Sequence, residues 1–117
     1  MDELGEQLAG WGKVIRLTTH GRVTGRPVEV ALGYVEEADG SLLVAAGTPE
    51  SDWALNLAAD PGCSVVVGDA TWPEAVAEPL DGADAQRVVR ELILRYGTPA
   101  ERLGRGPTFR LRRVVAG

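Results

Sequence analysis

The chain has 117 residues, 44% hydrophobic and 25% charged, which is enough to bury a core without staples and too apolar for disorder. Twelve basic against seventeen acidic residues leave a net charge of −5, which argues against a phosphate-neutralising nucleic-acid surface. A single cysteine, Cys63, and a single histidine, His20, exclude an internal disulfide and any metal site built mainly from thiolate and imidazole. No apolar run nears the ~20 residues that cross a bilayer, and the acidic opening Met1-Asp2-Glu3 does not read as a secretory leader. The expectation is therefore one domain over residues 1–117 in the reducing cytoplasm, with no metal, nucleic acid or membrane span. Five arginines and no acid lie in 102–117, so the basic end meets an anionic small molecule or pairs with the acidic remainder.

Residues 2–10 are expected to form a short helix, with Leu4 and Leu8 one turn apart, broken by Gly10 and Gly12. Lys13–His20 alternates as a strand, with Ile15, Leu17 and Thr19 on one face. Gly21, Gly25 and Pro27 force a turn, and Val28–Val35 resumes as the second arm of a hairpin. Asp39-Gly40 turns into a third strand over Ser41–Ala46. A helix starts at Pro49, Ser51 or Asp52 and stops at Asp60-Pro61-Gly62, with Trp53 and Leu57 on one side.

Cys63–Val67 reads as a buried strand. Thr71–Pro79 follows as a weaker one, which Pro73 assigns to an edge or a bulge. Asp81–Tyr96 carries the clearest helical stripe, Val88, Val89, Leu92, Ile93 and Tyr96. Pro107–Val115 closes the chain as a strand with Phe109 and Leu111 on one face and Arg110 and Arg112 on a polar other. About six strands and two or three helices point to a mainly antiparallel sheet or barrel with flanking helices.

Protein-borne catalytic constellations are scarce. No phosphate loop of the P-loop or dinucleotide type is present, and Ser41, Ser51 and Ser64 lack a nucleophile-elbow context. One segment stands out: Thr18-Thr19-His20-Gly21-Arg22-Val23-Thr24-Gly25-Arg26-Pro27 packs hydroxyls, glycines and two arginines into one turn. Glycines let backbone amides approach an anion, and guanidinium forks suit phosphate or carboxylate. The same residues also make a plain hairpin loop with solvated arginines, and local chemistry leaves both readings open.

The pattern T-T-x-G-R-x-T-G-x-P, followed by Tyr34, Asp39-Gly40, Leu43-Val44-Ala45-Ala46 and Trp53-Ala54-Leu55-Asn56-Leu57-Ala58-Ala59-Asp60-Pro61, resembles the deazaflavin-dependent nitroreductase family. The resemblance implies a split β-barrel of the flavin-reductase type. It further implies a cytoplasmic homodimeric oxidoreductase that takes hydride from reduced coenzyme F-420 to a small electron-poor substrate, a quinone, nitro compound or enone. Carried over by position, it puts Arg22, Thr24, Gly25, Arg26 and Pro27 around the cofactor phosphate. Ala45 and Ala46 would lie along the ring and ribityl chain, Trp53 and Asn56 beside the groove, and Tyr96 on the substrate side as the catalytic candidate. A cofactor that carries the hydride also accounts for the missing protein catalysts.

The chain departs from the family at Val23 and Val28, where Lys and Arg are common, and in the short stretch between Ala46 and Trp53. Two alternatives follow. The same barrel could bind FMN or haem, or it could serve as a cofactor-free dimeric binding protein.

Overall fold

The computed structural model describes residues 14–96 and 106–115. The helix expected over 2–10 and the Gly97-Pro99 stop signal lie outside them. Seven strands form one sheet: β1 (Ile15–His20), β2 (Pro27–Leu32), β3 (Val35–Glu36), β4 (Leu42–Ala45), β5 (Gly62–Val67), β6 (Ala70–Leu80) and β7 (Thr108–Arg113). Two helices flank it, α1 (Asp52–Ala59) and α2 (Gly82–Tyr96). The strand order β2-β1-β5-β6-β7-β4-β3 is antiparallel throughout, and the sheet curls so that β2 and β3, consecutive in the chain, form its two ends. This is the split-barrel α+β architecture expected.

The alternation of β1 is met residue for residue: Ile15, Leu17 and Thr19 are buried while Arg16 and Thr18 are half-exposed. Strand β4 is buried on both faces, which is why Leu42-Leu43-Val44-Ala45 reads as a continuous apolar run. Leu42, Val44 and Ala46 join the barrel core with Ile15, Leu17, Trp53, Leu57, Val65, Trp72, Phe109 and Leu111. Leu43 and Ala45 face the other way, onto Val88 and Leu92 of α2. The two helices thus sit on opposite faces of the sheet, α1 over β1 and β2, α2 over β3, β4 and β7.

Pro73 lies in a bulge. Cys63 pairs with Ala75 but Val65 pairs with Trp72, so β6 spends one residue more than β5 between them. The extra residue turns both Trp72 and Ala75 inward, although their spacing of three would put them on opposite faces of a regular strand. The expected edge position is corrected: β6 is interior, pairing with β5 along its first half and β7 along its second. Pro73 falls on the first half, where its missing N–H takes no ladder bond to β7.

Arg110 and Arg112 are ion-paired. Arg112 donates to Glu78 at 2.7 Å and reaches Asp39 at 3.4 Å, while Arg110 lies between Glu37 and Glu78 at 3.7 and 3.9 Å. Arg87 of α2 closes on the same Glu37 at 2.5 Å. Bonds from Ser41 and the nearby arginines hold the Asp39 carboxyl below its ordinary range, and the Arg112 bond does the same for Glu78. None of the helices among the described residues is long and apolar enough to cross a membrane.

Candidate functional site

The turn between β1 and β2 is ordered by its own backbone. Gly21 N–H donates to the Arg26 carbonyl at 2.8 Å, Gly25 N–H donates to the Gly21 carbonyl at 2.8 Å, and the Thr24 hydroxyl oxygen accepts from Arg26 N–H at 3.2 Å. Gly25 stands at φ +75°, a conformation that a side chain would strain. With those bonds made, the amides of Val23 and Thr24 meet no acceptor among the described residues, and both residues are exposed. The Arg26 side chain is exposed too and forms no ion pair with the described residues.

Helix α1 backs this turn. Asn56, only 2% exposed, accepts at Oδ1 from Arg22 N–H (3.2 Å) and Arg22 Nη1 (2.8 Å), and donates through Nδ2 to the Thr19 hydroxyl at 3.1 Å. Thr19 donates in turn to the Val28 carbonyl at 3.4 Å. A buried amide therefore ties α1, β1, β2 and the turn together, and its own hydrogen-bonding groups are satisfied by doing so. The other guanidinium nitrogen, Arg22 Nη2, faces the Asp52 carboxylate at 3.2 Å. Gly21, Arg22, Val23, Thr24, Val28, Asp52 and Asn56 enclose a cleft of about 220 Å³. That volume suits a phosphate or carboxylate group and is smaller than the ~300 Å³ at which pockets for whole cofactors begin.

Of the residues picked out by sequence, Arg22, Thr24, Gly25, Arg26 and Asn56 come together at this turn, and Pro27 begins the strand that follows it. The others do not join them. Trp53 is 8% exposed, its ring 6.0 Å from that of Phe109 in the barrel core. Ala46 is 1% exposed in that core, while Ala45 lies under α2. The Tyr96 hydroxyl accepts from Tyr34 N–H at 3.1 Å and donates to the Tyr34 carbonyl at 3.2 Å. Its ring packs so closely on Gly33 that a β-carbon there would stand 3.0 Å away. Tyr96 thereby pins the end of α2 to the β2–β3 connection. Two participants were read in the sequence only as part of the turn motif and as a helix start, Thr19 and Asp52, without a role at the site. Asp52 and Asn56 stand four apart on one helix, a spacing that puts both on the side facing Arg22.

Cys63 and His20 contribute nothing to this cluster. Burial, followed by the nearby Asp60 charge, pushes the Cys63 thiol up to about 11, so it stays protonated at neutral pH. No group of three His, Cys, Asp or Glu residues able to hold a metal exists among the described residues. A cleft of about 580 Å³ lies between α2 and the start of β7, lined mainly by Leu80, Val89, Ile93 and Pro107.

Residues 2–105 match the family model of the F420H2-dependent quinone reductases, and the chain belongs to that family of oxidoreductases, whose coenzyme is reduced F-420. No curated protein is significantly similar to it. Among solved structures it is similar to an F420-H2 dependent reductase at 27% identity, covering 86% of this chain and 94% of that one, with a TM-score of 0.70. A structure described as a domain-swapped dimer is 26% identical over 94% of this chain and 95% of its own, with a TM-score of 0.72. The haem storage protein HutZ from Vibrio cholerae shares the fold at 21% identity, covering 95% of this chain and 88% of its own, with a TM-score of 0.73.

Proposed function

We propose that the Gly21–Arg26 turn holds the phosphate of coenzyme F-420, and that the chain serves transfer of hydride to a small electron-poor acceptor such as a quinone, nitro compound or enone. The observation that carries this reading is the turn itself. Val23 and Thr24, whose amides meet no acceptor among the described residues, line a cleft of phosphate size together with the pre-positioned Arg22, and the exposed Arg26 stands on the same turn. The coenzyme would supply the hydride, and the chain's residues bind and orient it. Asn56 fixes Arg22 from behind, so the guanidinium needs no reorganisation when an oxyanion arrives. Tyr96 acts in this reading as a tether for the acceptor side, since its hydroxyl is engaged by Tyr34.

The unit we envisage is one cofactor-binding domain over residues 1–117. A homodimer is also part of the reading, supported by the domain-swapped neighbour and by the exposed Val23 (88%) and Val28 (39%) beside the turn.

Titration of the purified protein with oxidised F-420, FMN and haem tests the reading, with binding followed by fluorescence or absorbance. The expected result is selective F-420 binding that the double change Arg22→Ala with Thr24→Ala weakens by about 100-fold or more, each charge-assisted contact being worth ~1.5–3 kcal/mol. Preference for FMN or haem would replace the cofactor while keeping the fold. Failure of all three would favour a cofactor-free binding protein.

A further inference from the structure

The cleft read as a phosphate site has an acid in its wall. Asp52 lines it beside Arg22, and its carboxylate already accepts a bond from Arg22 Nη2 at 3.2 Å. Resting on the phosphate-turn reading above, we infer that Asp52 is a built-in competitor for the anion site. Its carboxylate takes the place of the ligand phosphate on Arg22 Nη2, so that a ligand must bring negative charge to displace it.

The two ends of Arg22 are held very differently. Nη1 and the backbone amide are anchored by Asn56, which is buried and bonded again to Thr19. Among the described residues Nη2 meets only the Asp52 carboxylate, whose side chain is 80% exposed against 34% for Arg22, while Nη1 also reaches the Asp52 backbone carbonyl at 3.4 Å. Release of Asp52 into water therefore leaves the guanidinium where it was, and one oxyanion exchanges for another on a stationary donor. An exposed ion pair of this kind is weak, whereas phosphate on a guanidinium fork and two turn amides forms several charge-assisted bonds at once. Asp52 also opens α1, where the helix N-terminus favours any anion, carboxylate or phosphate alike. A neutral ligand gains nothing from the exchange. The acid thus lowers affinity for every ligand that needs Arg22 and leaves ligands without an anion untouched, so it narrows the margin by which the site favours a phosphate.

The test compares wild type with Asp52→Asn and Asp52→Ser, the second keeping a residue suited to a helix start. The probes are oxidised F-420 and its phosphate-free deazaflavin fragment, each titrated at low and at physiological salt. The expected result is F-420 binding about three- to tenfold tighter in both variants, unchanged binding of the phosphate-free fragment, and a gain that shrinks with salt. In an Arg22→Ala background the gain should vanish, because the competitor then has nothing to occupy. Unchanged or weaker F-420 binding by both Asp52 variants, with Arg22→Ala still weakening it, overturns the competitor and leaves the phosphate turn standing. An equal gain for the phosphate-free fragment overturns the competitor as well. An Arg22→Ala protein that binds F-420 as wild type does overturns both readings together.

Discussion

Two polar clusters hold this barrel, and they spend their charges in opposite ways. Where α2, β6, β7 and the β3–β4 turn meet, Arg87, Arg110 and Arg112 are matched to Glu37, Glu78 and Asp39, cation against acid. At the β1–β2 turn a single buried amide, Asn56, organises the arginine, while two backbone amides and the Arg26 side chain meet no acceptor among the described residues. The first cluster turns its charges on one another, although the buried Arg110 Nε meets no hydrogen-bond partner among the described residues, and it serves the architecture. The second is rigid behind and open in front, which is what a ligand site requires: donors fixed in advance and still unspent.

The sharpest way to break this contrast is at Asn56. Asn56→Ala would take the Asn56 partner from the buried Thr19 hydroxyl, which keeps only its long bond to the Val28 carbonyl, and from the part-buried Arg22 amide. The expected cost is about 1–3 kcal/mol of stability, a fall of several degrees in Tm, together with loss of F-420 affinity as the arginine loses its anchor. Thermal melts and titration on the same sample read both effects. A variant that loses stability but keeps full affinity would reduce Asn56 to a scaffold residue.

Next in size is Tyr96→Phe. Removal of the hydroxyl deletes the two bonds to the Tyr34 backbone and should cost about 1 kcal/mol, with F-420 affinity unchanged. The discriminating readout is turnover with a quinone acceptor, measured well below the melting temperature. A retained rate supports the tether, and a large fall in kcat with Tm nearly intact would return Tyr96 to the chemistry.

The smallest effect is expected in the first cluster. The Glu78 and Asp39 carboxyls titrate below their ordinary values in the folded chain, so the stability they add is present above the unfolded value, near 4. It drains away as pH falls through the lowered folded values. Glu78→Gln should therefore melt slightly below wild type at pH 7, and the gap should close under acid. A gap that widens on acidification would reverse the sign of this argument. F-420 affinity should not change, because the cluster lies away from the turn.

Much of this was legible in the residues. The alternation of Ile15, Leu17 and Thr19, the stripe from Val88 to Tyr96 and the turn at Asp39-Gly40 all appear as expected, since each depends on a local period or a local dihedral. Of the site, the Gly21–Arg26 turn was legible for the same reason. What was not legible is who faces whom. Asn56 and Arg22 are separated by 34 positions, and nothing local says that the amide turns its oxygen to that arginine. Trp53 and Ala46, placed along a groove by resemblance, lie in the barrel core, Trp53 because α1 turns its apolar side inward and Ala46 because it continues the inward face of Leu42 and Val44.

The amino-acid sequence by itself determined the strands other than β3, the two described helices, the glycine-arginine turn and the family, because periodicity, turn chemistry and spaced motifs are written within short stretches of chain. The single strand expected over Val28–Val35 instead divides into β2 and β3, which form opposite ends of the sheet. Only the tertiary structure decided the rest: that β4 is covered on both faces, that Pro73 sits in a bulge which turns Trp72 and Ala75 inward, that Tyr96 is tied to Tyr34, and that Asp52 stands against Arg22. Each of these is a contact between elements far apart in the chain, and its energy exists only once the sheet has curled and the two helices have taken opposite faces.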